Sequence, residues 1–388
     1  MSRNPAQAAV VGIGHSPVYR RAEQPLGVLA VQAAQAAIAD AGLTASDIDG
    51  ITTSPVHPAA AAGSIDGIHT VGTYFMIKAL RLDPSYSDQG TFMISQAFIQ
   101  AVNAVAAGAC QYALVFRALH NPAGRYGRIA SSHAYGADQW YFPYGSTGPS
   151  TVGQQLRRYM HQHGGTKEQL GTFVVRSRDQ GLMNENSYWA QHRPERITLA
   201  DYLGARPVSE PIGMYDCDIP IQGAAAIVLT SVERARDLIP QPAYVLGTSV
   251  SPEFFSGVTY PDTVESQIDA GRRLASRLYA KARIAPEDVD IANLYDGYSA
   301  NVAFWADSMR LCADGQGIQW IADPHIPLNT SGGNLGSGRM HGAPHLIEGA
   351  LQIMRRAGPR QVGRASISLV TIGGTHHAGG VVFGSDPM

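Results

Sequence analysis

The sequence predicts an α/β protein built from a duplicated unit, and three features point to it. Ala8 to Pro17 is a β-rich run closed by Gly and Pro, and the Ala-rich segment Leu26 to Ala41 has helical composition and spacing. Ala243 to Pro252, followed by Val264 to Arg283, repeats this strand-then-helix opening. Past the helices, Leu43 to Asp49 lines up with Ile284 to Asp290, each a turn with an acidic capping position leading into a strand, at Ile51 and Ile291. Self-similarity of this length suggests duplication, while the bland alternative is that any two βα units share such turns. The division falls at an N-terminal half, 1–240, and a C-terminal half, 241–388.

At 388 residues the chain can bury a full core without disulfides or metals. A charged fraction of 15% against 45% hydrophobic, with 42 Gly and 23 Pro, suits a turn-rich compact protein and argues against disorder. The net charge of −2 lacks the basic excess that phosphate neutralisation demands, so no nucleic acid partner is expected; a small or lipid-like ligand fits better. The N-terminus has no signal-peptide core and no stretch is apolar for long enough to span a bilayer, so a cytoplasmic, membrane-free setting is expected. Cys110, Cys217 and Cys312 are scattered and fit a reduced compartment.

An insertion at about 121–210 departs from the regular pattern and is heavy in Tyr126, Tyr135, Trp140, Tyr141, Tyr144, Tyr159, Tyr188 and Trp189. Such an excursion either caps a site, builds an interface, or merely packs on the scaffold.

The second half carries the informative residues. Asn329 to Gly342 is a Gly-rich loop running into an amphipathic Pro344 to Arg356 helix, where backbone can approach a ligand and helix amides can meet an anion. With its surroundings it resembles the NxxGG…GHPxG block of the thiolase superfamily, especially the sterol-carrier-type thiolases and their divergent relatives. Tyr215 to Ala226 resembles the family's mid-chain segment, Asn293 to Ser299 its N-E-A-F-A block, and Ser368 to Gly374 its C-terminal strand and glycine turn. The four blocks stand in order over nearly the whole chain. The resemblance implies a thiolase-like duplicated βαβαβαββ fold in five α-β-α-β-α layers, and a homodimer.

The catalytic positions of that family do not match. Its acyl-accepting cysteine falls near Thr91, its second cysteine at Thr371 or Ile372, and the histidine of its G-H-P position at Arg339. Acyl transfer through a thiolate is therefore the last-ranked chemistry, and the cysteines present are expected to be buried structural thiols.

By resemblance, Tyr295 and Asp296, the Arg339 to His341 stretch, and His376 with His377 converge on one pocket. A retro-aldol cleavage needs a base for a β-hydroxyl proton, donors for a thioester enolate, and an acid to quench it, with no covalent nucleophile. The Leu294 to Tyr298 and Gly338 to Gly342 blocks resemble the branch that cleaves steroid side chains from a hydroxyacyl-CoA. That likeness implies a small accessory protein with an OB-fold and zinc ribbon, assembled as a heterotetramer, and no cofactor beyond the coenzyme A of the substrate. It implies Tyr295 as acid–base group or hydroxyl donor with His341 as partner, and amides near Gly332, Gly333, Gly373 and Gly374 as an enolate clamp. Asp296, His376 and His377 are further catalytic candidates, and Thr91 lines the substrate. Arg339 binds a CoA phosphate or forms an ion pair. Tyr298 is expected to be core.

Other classes are weaker. His341 with His345, His161 with His163, and His376 with His377 lack a carboxylate at a motif spacing, so no metal site is expected. The only lysines, Lys78, Lys167 and Lys281, lie away from these loops, which rejects a Schiff-base aldolase. Gly12-Ile13-Gly14 is followed by His15-Ser16-Pro17, which breaks the dinucleotide fingerprint. Besides the lyase, a non-catalytic lipid-binding or scaffold subunit stands. A shared pocket with Tyr295 and His341 within hydrogen-bond reach, directly or through one water, would favour the enzyme.

Overall fold

The computed structural model describes residues 6, 8–54, 65–90, 93–120, 148–251, 263–374 and 378–387. Strand β1 (Ala9–His15) leads to helix α1 (Leu26–Asp40). The two pack so closely that a side chain at Gly12 or Gly14 would strike the α1 backbone at Ala37 or Ala33. These glycines therefore serve helix-on-strand packing and not a dinucleotide. The chain continues through β2 (Gly50–Thr53), α2 (Thr73–Leu80), β3 (Tyr86–Gln89), α3 (Ile94–Ala106) and β4 (Tyr112–His120). The excursion follows, with α4 (Gly148–His163), α5 (Lys167–Leu182), α6 (Tyr188–His192), α7 (Leu199–Leu203) and the ribbon β5 (Pro207–Ser209) with β6 (Ile212–Gly213). Strand β7 (Gln222–Thr230) and α8 (Val232–Leu238) return to the scaffold. The second run is β8 (Ala243–Val250), α9 (Val264–Ala282), β9 (Ile291–Asn293), α10 (Ser299–Ser308) and α11 (Gly317–Ala322). It ends with α12 (Gly333–Ser337), α13 (Ala343–Ile353), β10 (Ile367–Ile372) and β11 (Gly379–Gly384).

The duplication is visible in the strand order β3-β2-β4-β7-β1-β8-β11-β10-β9. Outward from the centre, β1 to β7 and β7 to β4 are antiparallel and β4 to β2 parallel. In the same sequence, β8 to β11 and β11 to β10 are antiparallel and β10 to β9 parallel. Strands β1 and β8 meet through the pairs Ala9 with Tyr244 and Val10 with Ala243. The recurring acidic turns do the same work in both halves. Asp47 accepts the Thr44 amide at 2.7 Å, and Asp288 accepts the Ala285 amide at 2.9 Å. Asp49 takes the Gln111 and Tyr112 amides where β4 begins, as Asp290 takes those of Ser366 and Ile367 where β10 begins.

The layers follow from which face each strand residue covers. A Cβ at Gly379 of β11 would press on Ser95 of α3, and one at Gly380 on Leu274 and Leu278 of α9. With α1 outside β1 and α3 also packed on β2 and β4, the order is α-β-α-β-α. Among the described residues no helix is long and apolar enough to cross a membrane.

The described part of the excursion locks the loops of the second half. Gly181 of α5 and Gly336 of α12 approach backbone to backbone, leaving no room for a Cβ at Gly181. Tyr159 donates to Asp307 at 2.5 Å, and the Gly317 amide donates to the Tyr159 hydroxyl at 2.8 Å. Tyr202 and Ser299 both donate to the buried Asp216, at 2.7 and 2.6 Å. Tyr126, Tyr135, Trp140, Tyr141 and Tyr144 lie outside the described residues.

Beneath the Gly-rich loop, the buried Glu348 carboxylate accepts from Thr330 Oγ1 at 2.8 Å, Gln352 Nε2 at 3.0 Å and Arg360 Nη2 at 3.0 Å. Glu348→Ala strands the Arg360 guanidinium, and we expect urea denaturation to show a loss of about 3–5 kcal/mol.

Candidate active site

The site begins where the chain leaves β9 and runs against the Gly-rich loop. Asn329 holds the two segments like a strand pair: its Oδ1 accepts the Leu294 amide at 2.7 Å and its Nδ2 donates to the Leu294 carbonyl at 2.8 Å. Thr371 Oγ1 accepts the Tyr295 amide at 3.1 Å, joining the end of β10. The fully buried Asp296 carboxylate accepts the amides of Asn334 at 2.7 Å and Leu335 at 3.1 Å in the first turn of α12. Helix-start amides lack intrahelical acceptors, so a carboxylate is favoured there. Gly333, at φ 61°, has no room for a Cβ because Asp296 fills it. His345 Nε2 lies 2.9 Å from Asp296 Oδ1, and its ring is 5.8 Å from that of Tyr295. Neither nitrogen of His345 makes an aligned hydrogen bond.

Tyr295 is buried, and among the described residues its hydroxyl makes no hydrogen bond. Burial above all, and then the Asp218 charge, push the phenol well above its ordinary range, with Arg339 and Arg117 pulling the other way. It is therefore neutral at physiological pH. His341 takes the left-handed backbone at φ 49°, uncommon for a residue with a side chain, and its ring is fully buried. Arg339 Nε lies 2.9 Å from His341 Nε2, and Arg117 Nη2 lies 2.7 Å from His341 Nδ1. Arg339 also stands 3.9 Å from Asp218.

Residues 260–384 match the thiolase C-terminal domain-like family. The chain is 31% identical to the steroid side-chain-cleaving aldolase of Thermomonospora curvata over 100% of both chains. It is 30% identical to the 17-hydroxy-3-oxo-4-pregnene-20-carboxyl-CoA lyase of Mycobacterium tuberculosis over 97% of this chain and 99% of that one. The chain belongs to the thiolase-like family of steroid side-chain-cleaving aldolases. A solved Ltp2-ChsH2(DUF35) aldolase superposes with a TM-score of 0.86 at 28% identity, over 99% of each chain.

In this member of the aldolase family, Tyr295, Asp296, Arg339 and His341 converge as the sequence predicts. The direct Tyr295 to His341 hydrogen bond is not formed: arginines face both His341 ring nitrogens, and the imidazole against Tyr295 is His345. The sequence raises His345 only in a disfavoured metal pair with His341, and in the structure it sits on Asp296. Arg117 escaped the sequence reading altogether. Its one signal was a cation inside the apolar run Ala113 to Leu119 of β4, where every neighbour is buried. The expected clamp at Gly332 and Gly333 is also revised, since Gly332 donates to the Asn329 carbonyl at 2.7 Å and Gly333 to Ser331 Oγ at 3.4 Å. These amides shape the start of α12. Gly373, at φ 92°, turns the chain after β10, its carbonyl held by Trp305 Nε1 at 2.9 Å. Thr91, His376 and His377 lie outside the described residues. Tyr298, expected as core, is half-buried, and its hydroxyl abuts Gly148 of α4.

A narrow cavity of about 20 Å³, room for about one water, lies behind the loop, lined in part by His15, Asn184, Ser337 and Glu348. None of Tyr295, Asp296, Arg339 or His341 borders it, so it is separate from this cluster.

The cysteines are less buried than expected, with only Cys110 fully inside and Cys217 and Cys312 half-buried. Burial pushes the Cys110 thiol up to about 12. Cys217, which bridges to Tyr298 at the edge of the site, is driven well up by burial and by Asp218 and Asp216. Burial and Asp307 raise Cys312 likewise. A neutral thiol is a poor nucleophile. Cys217→Ser is expected to keep turnover within about threefold, and iodoacetamide should modify Cys217 at pH 8 at least tenfold more slowly, on the order of its lost thiolate, than a free cysteine.

Proposed function

We propose that this chain is a carbon–carbon lyase that splits a β-hydroxyacyl-CoA, bearing a steroid or other bulky side chain, into a ketone or aldehyde and a short acyl-CoA. The observation that carries the proposal is the buried Tyr295 hydroxyl, free of hydrogen bonds among the described residues, facing a cluster of arginines and histidines in a chain whose thiols are all held neutral. In the cleavage the β-hydroxyl O–H bond breaks, the electron pair of the C–C bond moves into the thioester as an enolate, and a proton returned to the α-carbon releases the acyl-CoA. Nothing is oxidised or reduced, so the substrate's own coenzyme A is the only cofactor the chemistry needs. Tyr295 is the group to which we assign proton exchange with the substrate.

The positive charge of Arg339 and Arg117 supports the same reading, because it favours the negative charge that develops on the thioester oxygen. The Arg339 contacts with His341 and Asp218 support an ion-pair role over a CoA-phosphate role. The proposal keeps Gly373 and Gly374 as enolate donors, His376 and His377 as secondary proton carriers, and Thr91 on the substrate. It includes a homodimer working in the cytoplasm and a small OB-fold and zinc-ribbon accessory chain in a heterotetramer. The similar Ltp2-ChsH2(DUF35) aldolase, a two-protein complex by its name, supports the accessory chain.

The test is a product assay with a panel of β-hydroxyacyl-CoA esters, with the chain alone and with its co-purifying partner. Release of carbonyl product and short acyl-CoA is expected. Tyr295→Phe should lower kcat by roughly 10²-fold or more while stability stays within about 1 kcal/mol, since no hydrogen bond is lost. Ligand binding without turnover of any ester would sink the proposal.

A further inference from the structure

Arg117 lies on β4 with its side chain fully buried, and neither its Nε nor its Nη1 has a hydrogen-bond partner. Among the described residues it forms no ion pair with a carboxylate. Among the described residues its one side-chain hydrogen bond is with the His341 ring, at 2.7 Å from Nδ1, while Arg339 stands at the opposite ring nitrogen at 2.9 Å. A neutral imidazole has one N–H and one lone pair, so it accepts from one arginine and faces the other with a hydrogen. The ring therefore hydrogen-bonds to only one of the two guanidiniums and neutralises neither.

Six groups face Tyr295 or its immediate partners from the packed elements. Asp296 comes from its own loop, Asp218 from the segment before β7, Arg339 and His341 from the Gly-rich loop, His345 from α13, and Arg117 from β4. The Asp296 charge is taken up by the α12 amides, and Asp218 balances Arg339. Two carboxylates and two guanidiniums thus face the site, and among the described residues Arg117 is the one with no carboxylate in contact. Burying an uncompensated cation costs several kcal/mol, which a purely structural side chain would have no reason to impose. The guanidinium is nonetheless still charged at neutral pH, because burial pushes it down only to about 10.

We propose that Arg117 is a positioning residue, whose guanidinium, held against the His341 ring, supports the anionic form of the Tyr295 oxygen during proton exchange with the substrate. This rests on the assignment of Tyr295 above. Whichever way the proton moves, from the β-hydroxyl to the phenolate or from the phenol to the enolate carbon, the Tyr295 oxygen passes through its anion on one side of the step. Burial and Asp218 oppose that anion, while Arg339 and Arg117 favour it. Losing Arg117 therefore makes the anion harder to form.

The experiment encodes a fluorinated tyrosine, whose phenol titrates near neutrality, at position 295 of the full chain and follows its ionisation by absorbance, without substrate. Arg117→Met is expected to move the midpoint up by about one pH unit or more, and Arg117→Lys to return most of the shift. Arg117→Gln keeps a nitrogen for His341 without the charge, and gives the same reading should Arg117→Met fail to fold by circular dichroism. In the cleavage assay with natural Tyr295, the neutral variants should lose roughly 10²-fold in kcat with KM changed less than about threefold, and Arg117→Lys should recover much of it. An unmoved midpoint in the neutral variants, or an equal shift in Arg117→Lys, overturns the proposal. Failure of the wild-type chain to cleave any ester would overturn the lyase reading instead, and the titration would still decide the role of Arg117.

Discussion

The carboxylate of Asp296 on the first-turn amides of α12 is the interaction on which the site depends. It ties the loop after β9 to a helix start 38 residues later in the chain. Neither segment has regular structure enough to hold itself: α12 is a single short turn, and the loop after β9 makes no ladder. A buried carboxylate without those amides would be costly, and those amides without a carboxylate would be orphans. The two needs meet in one contact, which also sets the backbone that turns Tyr295 inward and excludes any side chain from Gly333. Asn329 and Thr371 extend the same logic, each using one side chain to replace a missing strand bond.

Around this clamp the charges are arranged unevenly. Both carboxylates near Tyr295 are engaged, one by amides and one beside Arg339, while among the described residues Arg117 meets only an imidazole. The result is a buried guanidinium with no carboxylate in contact among the described residues, near a phenol held neutral by burial. A thiolase-like fold that has given up its thiolates needs a different way to manage a developing negative charge. Fixed guanidinium groups in a buried site serve that need, because they require no reorganisation when the charge appears.

The duplicated scaffold explains how these groups come together. Each half starts its parallel strand pair with an aspartate on the first amides of the neighbouring strand, Asp49 in one and Asp290 in the other. Pairing of β1 with β8 then places the halves edge to edge, so that β4 of the first contributes Arg117 to a site otherwise built by β9, β10 and the loops of the second. The excursion between the halves holds that arrangement in place, through Gly181 against Gly336 and through Tyr202 and Ser299 on Asp216.

Much of this was legible in the sequence. The strand and helix openings, the paired acidic turns and the four family blocks are local patterns, and local patterns report backbone geometry directly. Tyr295, Asp296, Arg339 and His341 could be named because they stand beside those blocks. Their partners could not, since the choice between His341 and His345 against Tyr295 depends on how α13 rotates against β10, and the fate of the Gly332 and Gly333 amides depends on a turn closing on itself. Arg117 was invisible for a plainer reason: it lies far from every motif, in a strand whose only oddity is one cation among apolar neighbours. By itself the sequence determined the fold and the inventory of reactive groups. Which of those groups touch was decided by tertiary packing alone, because hydrogen bonds between side chains distant in the chain exist only after two separate halves have been joined edge to edge.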